Sequence, residues 1–374
     1  MNKNIHIKIY PSKEQTIKIE QTLGMNRKVW NSFLNLINER YDNNTSSKML
    51  SYYDMNALLT QFKKENPWMY DLDSQAPQYT LKRLSESFKR FFKGISKYPK
   101  FKTKKDLIDS YTTKAKKTLR FNSKNSYIRI PKIGWVKCKT GYLNIEKQNI
   151  VSITVKRDNQ GKYYGIVLIK SENQTLRKTG KRIGIDLGVA DLAILSDGTK
   201  YSTLNLYRQY KNKLLYWEQR MNRRRIRAKK MNIPLEESKN YQYARKQVAR
   251  IHHKIANVRK NYIHKVTTEI VKKYDLIVIE DLKINNMMKN RKLSKSISNQ
   301  SWRMFREMLQ YKCEWYGKEL RIVNPYKTSQ ICSSCGHDSG KKTLDIRQWK
   351  CEACNTLHDR DINASKNILK LGLE

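Results

Sequence analysis

The sequence predicts a multidomain α+β protein, and three observations along the chain support that class. Helical patterns fill most of residues 13–96, and β-branched strand patterns dominate residues 110–170. After residue 179, short apolar strands alternate with long helices and lead to a cysteine-rich module. The 374 residues are enough for two or three modest domains with a sizeable core.

The charge balance indicates a polyanion as the partner. Lys and Arg number 77 against 33 Asp and Glu, which gives a formal net charge of +44. An excess of this size over a whole chain is typical of nucleic-acid binding. The sequence contains no run of 18 or more apolar residues, and its start lacks the apolar block of a signal peptide. We therefore expect a cytosolic protein.

The N-terminal half combines one strand with a helical region. Ile5, Ile7 and Ile9 alternate with polar residues, which predicts a strand. The sequence from Ser12 to Gln15 is a capping box that opens a helix, and further helical patterns cover 55–65 and 76–96. The early strand is expected to join the later all-β module, so that the helices form an insertion after it.

Two segments are predicted to contact nucleic acid. One interleaves cationic groups with aromatic rings, and the other repeats cationic groups along a helix. The first lies after the helical region, and the second lies in the first of two long basic helices expected to pack as an antiparallel hairpin. The predicted contact residues are Tyr98, Lys100, Phe101, Lys102, Arg223, Arg224 and Arg225.

Four of the six cysteines form two CxxC pairs, fifteen residues apart: Cys332, Cys335, Cys351 and Cys354. Each pair places two thiolates on one tight turn, and four thiolates complete a closed tetrahedral shell. The sequence therefore predicts one structural zinc ion, with iron as the alternative metal. Neither His337 nor His358 is needed as a ligand, and the isolated Cys138 and Cys313 are predicted to be small buried residues.

Three carboxylates occupy places where buried elements reach the surface. Asp186 and Glu280 each end an apolar strand, and Asp361 opens the final helix. In close proximity these acids would repel one another unless divalent cations lay between them. Carboxylate oxygens suit Mg²⁺ or Mn²⁺, and two such ions could activate a water and stabilise the leaving oxygen of a phosphodiester. Asp191, Asp281 and Asp359 are competing candidates, and spacing alone does not choose between Asp359 and Asp361.

Three ordered blocks of the chain resemble the TnpB family of transposon-encoded RNA-guided nucleases, which are relatives of compact type V CRISPR effectors. The blocks read IGIDLGVADLAILSDG, LIVIEDLKINNMMKN with the later SNQSW, and CSSCG…WKCEACNTLHDRDINASKNIL. The resemblance covers essentially the whole chain. It implies an RNase H-like (RuvC) nuclease domain with a Cys₄ zinc ribbon, and a β-barrel wedge domain that carries an inserted helical recognition domain.

The domain boundaries implied by this resemblance can be given as ranges. They are 1–10 for the first wedge strand, 11–105 for the recognition domain, 106–178 for the rest of the wedge, 179–326 for the RuvC domain, 327–356 for the zinc ribbon and 357–374 for the last RuvC helix.

The resemblance also implies an activity and its partners. Asp186, Glu280 and Asp361 match the family's three catalytic acids and would hold two Mg²⁺ or Mn²⁺ ions. A guide RNA from the transposon end would direct cleavage of double-stranded target DNA beside a short flanking motif. We expect a monomer in the prokaryotic cytosol, associated with the nucleoid when bound to DNA. Ser365, where relatives often have Ala, and Gln300, where Asp is frequent, are departures that remove no metal ligand.

Other functions remain open at this point. A nuclease-silent RNA-guided DNA-binding regulator or transposition accessory protein would share the charge, the zinc and the fold. A transposase that joins DNA ends also uses three acids, but no separate module for recognising DNA ends is visible. A plain zinc-ribbon nucleic-acid binder leaves Asp186 and Glu280 unexplained.

Overall fold

The computed structural model divides the chain into two compact units, Met1–Glu172 and Asn173–Glu374, which are described separately. The described residues are 2–44, 48–104, 109–114, 118–122, 126–139, 150–158, 160–173, 175–188, 190–282, 301–343 and 346–374. The predicted polar segment at 285–300, and with it Gln300, lies outside them. No helix in the described part of the chain is long and apolar enough to cross a membrane.

The first unit contains a seven-stranded antiparallel sheet. Its strands are β1 (Asn2–Tyr10), β2 (Asp109–Thr113), β3 (Arg120–Asn122), β4 (Tyr127–Ile130), β5 (Gly134–Lys139), β6 (Ile150–Arg157) and β7 (Tyr163–Lys170). They are ordered β2-β6-β7-β1-β5-β4-β3, with β2 and β3 at the two ends. No pairing between β2 and β3 is seen among the described residues, so closure of this sheet into a barrel stays a prediction.

Strand β1 lies in the middle of this sheet. It pairs antiparallel with β7, where Ile7 is opposite Gly165, and with β5, where Ile9 is opposite Cys138. Ile7 and Ile9 are buried, as their alternation with polar residues predicted. The structure confirms that the early strand belongs to the later β-module.

In the described residues between β1 and β2, the chain forms three α-helices and one 3₁₀-helix. They are α1 (Lys13–Asn43), α2 (Tyr52–Glu65), the 3₁₀-helix Pro67–Asp71 and α3 (Ala76–Phe92). The capping box at Ser12 is confirmed: Ser12 Oγ accepts from Gln15 N, and Gln15 Oε1 accepts from Ser12 N. The predicted helix at 76–96 was too long. It ends at Phe92 because Gly94 adopts φ +67°, a left-handed conformation that ends a helix.

The second unit is built on a five-stranded mixed sheet. Its elements are β8 (Arg182–Asp186), β9 (Asp191–Leu195), β10 (Lys200–Ser202), α4 (Leu206–Lys230), α5 (Lys239–Lys273), β11 (Leu276–Glu280), α6 (Trp302–Tyr316), β12 (Glu319–Val323), β13 (Gln348–Lys350), β14 (Leu357–Asp359) and α7 (Arg360–Leu373). The sheet order is β10-β9-β8-β11-β12. Strands β8, β11 and β12 are parallel, whereas β9 and β10 are antiparallel to their neighbours.

Helices cover both faces of this sheet. One core joins alternate residues of β8 and β11, such as Ile185 and Ile279, to α5 and α6. The other joins Leu276 and Val278 of β11 to Ile368 of α7. Burial on both faces explains why β11 is wholly apolar until its last residue.

The two long helices α4 and α5 pack against each other, and the apolar period of α5 holds over most of its length. Its apolar residues recur alternately four and three positions apart, which predicts one buried face. On that face Ala244, Val248, Ile251 and Ile255 are buried, as this spacing predicts, whereas Val258 is exposed. It lies where α5 passes from the cluster shared with α4 to the core shared with α6. Cys138 and Cys313 are both buried, as predicted.

Candidate active site and metal sites

Asp186 and Glu280 are the last residues of adjacent parallel strands. Ile185 pairs with Ile279, so the two acids follow at the same level at the carboxyl ends of β8 and β11. Side chains alternate between the faces of a strand, and Ile185 and Ile279 face the α5/α6 core. Asp186 and Glu280 therefore both face α7.

Helix α7 brings the third acid to the same face. Asp359 caps the helix, because its Oδ1 accepts from Asp361 N at 3.0 Å and from Ile362 N at 3.1 Å. Asp361 then lies in the first turn. An aspartate at this position is the usual side-chain cap of a helix, and the cap fixes the direction in which the first turn leaves β14.

Two glycines allow α7 to lie unusually close to the strands. A Cβ on Gly184 would fall 2.1 Å from Ser365 O and 2.7 Å from Leu369 N. A Cβ on Gly372 would fall 2.4 Å from a methyl group of Val278. Gly184 is two residues before Asp186, so this contact sets the distance between the helix that carries Asp361 and the strand that carries Asp186.

The electrostatics of the three acids are those of crowded carboxylates. Burial, together with the charges of Glu280 and Asp361, raises the pKa of Asp186 well above its usual value. Burial also raises the pKa of Glu280, although Leu187 N donates to its Oε1 at 3.1 Å. A divalent cation bound by these carboxylates would offset their mutual repulsion.

Two of the competing acids, Asp359 and Asp281, are engaged elsewhere. Besides capping α7, Asp359 pairs through Oδ2 with Lys200 Nζ at 2.7 Å. Asp281, the residue after Glu280, pairs through Oδ1 with Arg306 of α6 at 2.6 Å, and α6 covers the face of the sheet opposite to α7. Asp361 makes one longer ion pair, 3.3 Å to Arg347 Nη1. These contacts favour Asp361 over Asp359 as a metal ligand.

The donor set fits hard divalent cations. The three acids offer carboxylate oxygens, and both Glu280 and Asp361 act electrostatically on Asp186. Within the described residues, only the four cysteines bring at least three ligand atoms all within 4.8 Å of one another. Among the described residues, the three acids do not form so compact a group.

The four cysteines fit a tetrahedral metal. Cys332 Sγ lies 3.7 Å from Cys354 Sγ, and Cys335 Sγ lies 3.7 Å from Cys351 Sγ. A Zn–S bond of about 2.3 Å gives a tetrahedral edge of about 3.8 Å. Hydrogen bonds from the side chain and backbone of Thr356 lower the pKa of Cys354 to about 6. These cysteines thus form a zinc-compatible cluster.

His358 contacts this cluster without being one of its four ligands. Its Nε2 lies 3.0 Å from Cys332 Sγ, and its ring lies 4.8 Å from that of Trp349. An N–H donated to a metal-bound thiolate stabilises the charge on sulfur. His337, by contrast, has an exposed side chain and contacts the cluster through its backbone: its carbonyl accepts from Cys332 N at 2.9 Å.

The aromatic and basic segment after α3 is partly committed to internal contacts. Tyr98 stacks edgewise on Phe88 and Phe91 and donates to Asn38 Oδ1 at 2.6 Å. Lys102 Nζ lies 4.0 Å over the Trp30 ring. Lys100 and Phe101 have exposed side chains.

The three consecutive arginines of α4 differ in their surroundings. Arg224 Nη1 donates to Asn240 O of α5 at 2.7 Å and so ties the two helices together. Arg223 and Arg225 are exposed, and Arg225 reaches Asn222 Oδ1 of its own helix at 2.9 Å. Arg223 and Arg225 are therefore better placed than Arg224 for a phosphate contact.

Sequence reasoning missed several residues around the acids. Asn363 and Asn367 hydrogen-bond the first cysteine turn, Arg347 pairs with Asp361, and Gly184 lets α7 approach. The capping role of Asp359 was readable from the sequence, because an Asp just before a helix is a cap signal. The other contacts are tertiary and left no local signal.

Comparison with known proteins places the chain among transposon-associated proteins. Family models match residues 152–291 ("Probable transposase", OrfB_IS605), 302–368 ("Cas12f1-like, TNB domain") and 1–46 ("Helix-turn-helix domain"). The last description does not suit this structure, in which residues 2–43 form one strand and one 31-residue helix.

Full-length relatives are more informative. A Streptomyces pristinaespiralis protein named "Putative RNA-guided DNA endonuclease" is 32% identical over 98% of this chain and 88% of its own. The Escherichia coli K12 protein named "Putative RNA-guided DNA endonuclease InsQ" is 30% identical over 97% of this chain and 90% of its own. Mimivirus relatives carry the name TnpB-like protein. The chain belongs to the TnpB family.

A solved structure, "Cryo-EM structure of the Cas12f1-sgRNA-target DNA complex", aligns over 99% of both chains at 16% identity. Its TM-score is 0.34, a superposition too loose to bear on this fold.

Proposed function

We propose that the protein is an RNA-guided endonuclease that cuts double-stranded DNA next to a short flanking motif, using one metal-dependent site. The observation that carries this proposal is that Asp186, Glu280 and Asp361 converge on one face of the second sheet, at the carboxyl ends of β8 and β11. Membership of the TnpB family supplies the context, since two relatives that match nearly the whole chain carry the name "Putative RNA-guided DNA endonuclease".

The strand order supports an RNase H-like nuclease domain. Three antiparallel strands, β10, β9 and β8, are followed by the parallel β11 and β12, and helices cover both faces. The RuvC domain would then comprise 179–326 and 357–374, with the zinc ribbon at 327–356 between them. The sheet of the first unit would be the wedge domain, with α1 to α3 as the inserted recognition domain.

The chain's own residues would perform three tasks in cleavage. Asp186, Glu280 and Asp361 would together hold the divalent cations, Leu187 N–H would orient the Glu280 carboxylate through its Oε1, and α7 would present Asp361. Bound Mg²⁺ or Mn²⁺ would supply an activated water and stabilise the leaving oxygen. Arg347 would release Asp361 on metal binding, because its 3.3 Å contact is long and partly exposed.

The basic surfaces would bind the nucleic acids. A guide RNA from the transposon end would pair with the target, while exposed cations such as Arg223 and Arg225 would grip phosphates. We further propose that the protein acts as a monomer in the prokaryotic cytosol and associates with the nucleoid when it is bound to DNA.

The test is a cleavage and binding assay on the protein purified with its own RNA. Replacing Asp186, Glu280 or Asp361 singly by Ala should abolish cutting of a matched target in Mg²⁺ while target binding persists. Full cleavage by any of the three variants would refute the metal-site assignment. Guide-dependent binding by the parent protein without cleavage would instead identify a nuclease-silent regulator.

A further inference from the structure

One face of helix α7 holds the first cysteine turn through its backbone. Asn363, Asn367 and Lys370 lie four and three residues apart, which places them on one side of the helix. Asn363 Nδ2 donates to Ile331 O at 2.8 Å, and its Oδ1 accepts from Ser333 N at 2.8 Å. Its side chain thus brackets the residue between them, Cys332.

Two further side chains extend this contact along the helix. Asn367 Nδ2 donates to Thr328 O at 2.8 Å and to Ile331 O at 2.7 Å. Lys370 Nζ donates to Ser333 O at 2.5 Å. Asn363 is 1% exposed and Asn367 7% exposed, so water does not compete strongly for these bonds.

The same helix is held to the catalytic strand on its other side. Ser365 O and Leu369 N pack on Gly184, two residues before Asp186. At the start of α7, His358 contacts Cys332 Sγ and Asp359 caps the first turn, which contains Asp361. The cysteine cluster is thus connected to Asp361 both through the chain, by residues 354–360, and through space, by the asparagines.

We propose that Asn363 and Asn367 are positioning residues that couple zinc binding at the cysteines to divalent-cation binding at Asp361. Zinc fixes the backbone of the first cysteine turn, and the two asparagines transmit that fixed position to α7. Loss of the asparagines would leave α7 held to the first cysteine turn only through Lys370 and His358, and loss of zinc would leave that turn itself less fixed. In either case Asp361 would spend less time in the geometry that binds the cation. This inference rests on the proposed function, because it takes Asp361 as a metal ligand.

The experiment measures two metals on the full chain: zinc content by mass spectrometry and Mn²⁺ affinity by electron paramagnetic resonance. Asn363→Ala with Asn367→Ala should retain one zinc per chain and bind Mn²⁺ about tenfold more weakly, a usual effect of losing groups that support metal ligands. Releasing zinc from the parent with an organomercurial should weaken Mn²⁺ binding by a similar factor. The same treatment should change the double variant little further, because the coupling is already broken.

Lys366→Ala is the matched control, since Lys366 is exposed on the same helix; it should behave like the parent. If the double variant loses its zinc, Asn367→Asp is the variant that tests the coupling. It keeps the size of the side chain but places a carboxylate oxygen against the carbonyls of Thr328 and Ile331, and it should weaken Mn²⁺ binding with zinc retained.

The inference is overturned if zinc-loaded Asn367→Asp or the zinc-loaded double variant binds Mn²⁺ as tightly as the parent. A merely structural role would lower thermal stability and zinc content together and leave Mn²⁺ affinity in the zinc-loaded fraction unchanged. Asp186→Ala separates this result from a failure of the proposed function. If that variant binds Mn²⁺ like the parent, the acids are not the cation site at all.

Discussion

Asp359 and Asp361 stand two positions apart, but their side chains have different surroundings. Both oxygens of Asp359 are used, one by the amides of the first turn of α7 and the other by Lys200. Asp361 faces Asp186 and raises its pKa. A carboxylate that already satisfies a helix end has little capacity left to bind a cation, and so the two residues have separable roles.

Serine substitution should separate these roles, because serine is a good helix cap but a poor cation ligand. Asp359→Ser should keep most of the cleavage rate and lose at most about 1 kcal/mol of unfolding free energy. Asp361→Ser should abolish cleavage with little loss of stability. Cleavage rates in Mg²⁺ and thermal unfolding of both variants check this, and the reverse pattern of activities would assign the metal to Asp359.

The sequence predicted the candidate residues better than their arrangement. The cysteine spacing and the acids at strand ends were readable because metal ligands follow local rules of spacing. The choice between Asp359 and Asp361 was not readable from spacing, because it depends on Lys200, which lies 159 residues earlier. His358 beside Cys332 is likewise a contact between residues 26 apart.

Helix α7 is the element on which the candidate site depends, since it touches β8, β11 and the cysteine module. The sequence predicted a final helix that opens at Asp361 but gave no measure of how closely this helix approaches the sheet. That closeness comes from Gly184 and Gly372, where a side chain would clash with the neighbouring element. Such a clash depends on the tertiary contact and cannot be read from the sequence around each glycine. In the first unit, by contrast, the insertion of three helices after β1 was predictable, because the alternation in β1 matches that of a half-buried strand.

Gly184→Ala should push α7 away from β8. The added methyl group would lie 2.1 Å from Ser365 O, and overpacking of this kind lowers the free energy of unfolding by about 1–3 kcal/mol. The variant should also need more Mn²⁺ for half-maximal cleavage. Gly24→Ala in α1 is the control: its Cβ would meet nothing closer than 3.7 Å, so chemical denaturation should show unchanged or slightly higher stability. Equal stability and metal demand in Gly184→Ala and the parent would contradict the close-contact account.

The packing of α6 on α5 contains a buried cation. Lys312 is 4% exposed, and its Nζ donates to His264 O at 2.7 Å, Thr267 Oγ1 at 2.6 Å and Thr268 Oγ1 at 2.7 Å. No carboxylate is among these three partners. Burial lowers the pKa of Lys312 to about 8, below its ordinary value of 10.5.

This lowered pKa predicts a pH dependence of stability. Between pH 8 and 10.5 the unfolded chain binds more protons at this lysine than the folded chain, so stability should rise with pH through that window. Below pH 8 the burial penalty is fully present. Lys312→Met should abolish this rise and stabilise the protein at pH 7, because both threonine hydroxyls still donate to carbonyls of α5.

Urea denaturation at pH 7, 8.5 and 10 measures the effect, with the exposed Lys272→Met as the control. A wild-type pH slope that survives in Lys312→Met would show that another group titrates in this range.

For the whole molecule, the net charge of +44 indicates a polyanion partner, and the affinity for the proposed guide RNA should depend steeply on salt. The charge was fully readable from the sequence. Which cations reach phosphates was not, because local packing engages some of them, such as Arg224 and Lys102, within the protein.

Replacing Arg223 and Arg225 together by Gln should make the dependence of RNA affinity on salt less steep. The magnitude of the slope of log K (association) against log salt concentration should fall by about 1.4–1.8, as expected for two lost phosphate contacts. Arg224→Gln should leave the slope nearly unchanged and lower the thermal stability of the α4/α5 pair, because it breaks the bond to Asn240 O. Filter binding of the co-purified RNA at several salt concentrations checks both. An unchanged slope in the double variant would remove these arginines from the RNA interface.

The central claim is that one site, formed by Asp186, Glu280 and Asp361, cuts DNA chosen by a bound RNA. The most direct measurement sequences the RNA that co-purifies with the protein, then offers the complex DNA targets that match the 3′ end of that RNA beside randomised flanking bases. The account predicts Mg²⁺-dependent cleavage of matched targets carrying one short flanking motif, and none with Asp186→Ala. Cleavage that ignores the RNA sequence, or that persists in Asp186→Ala, would contradict it.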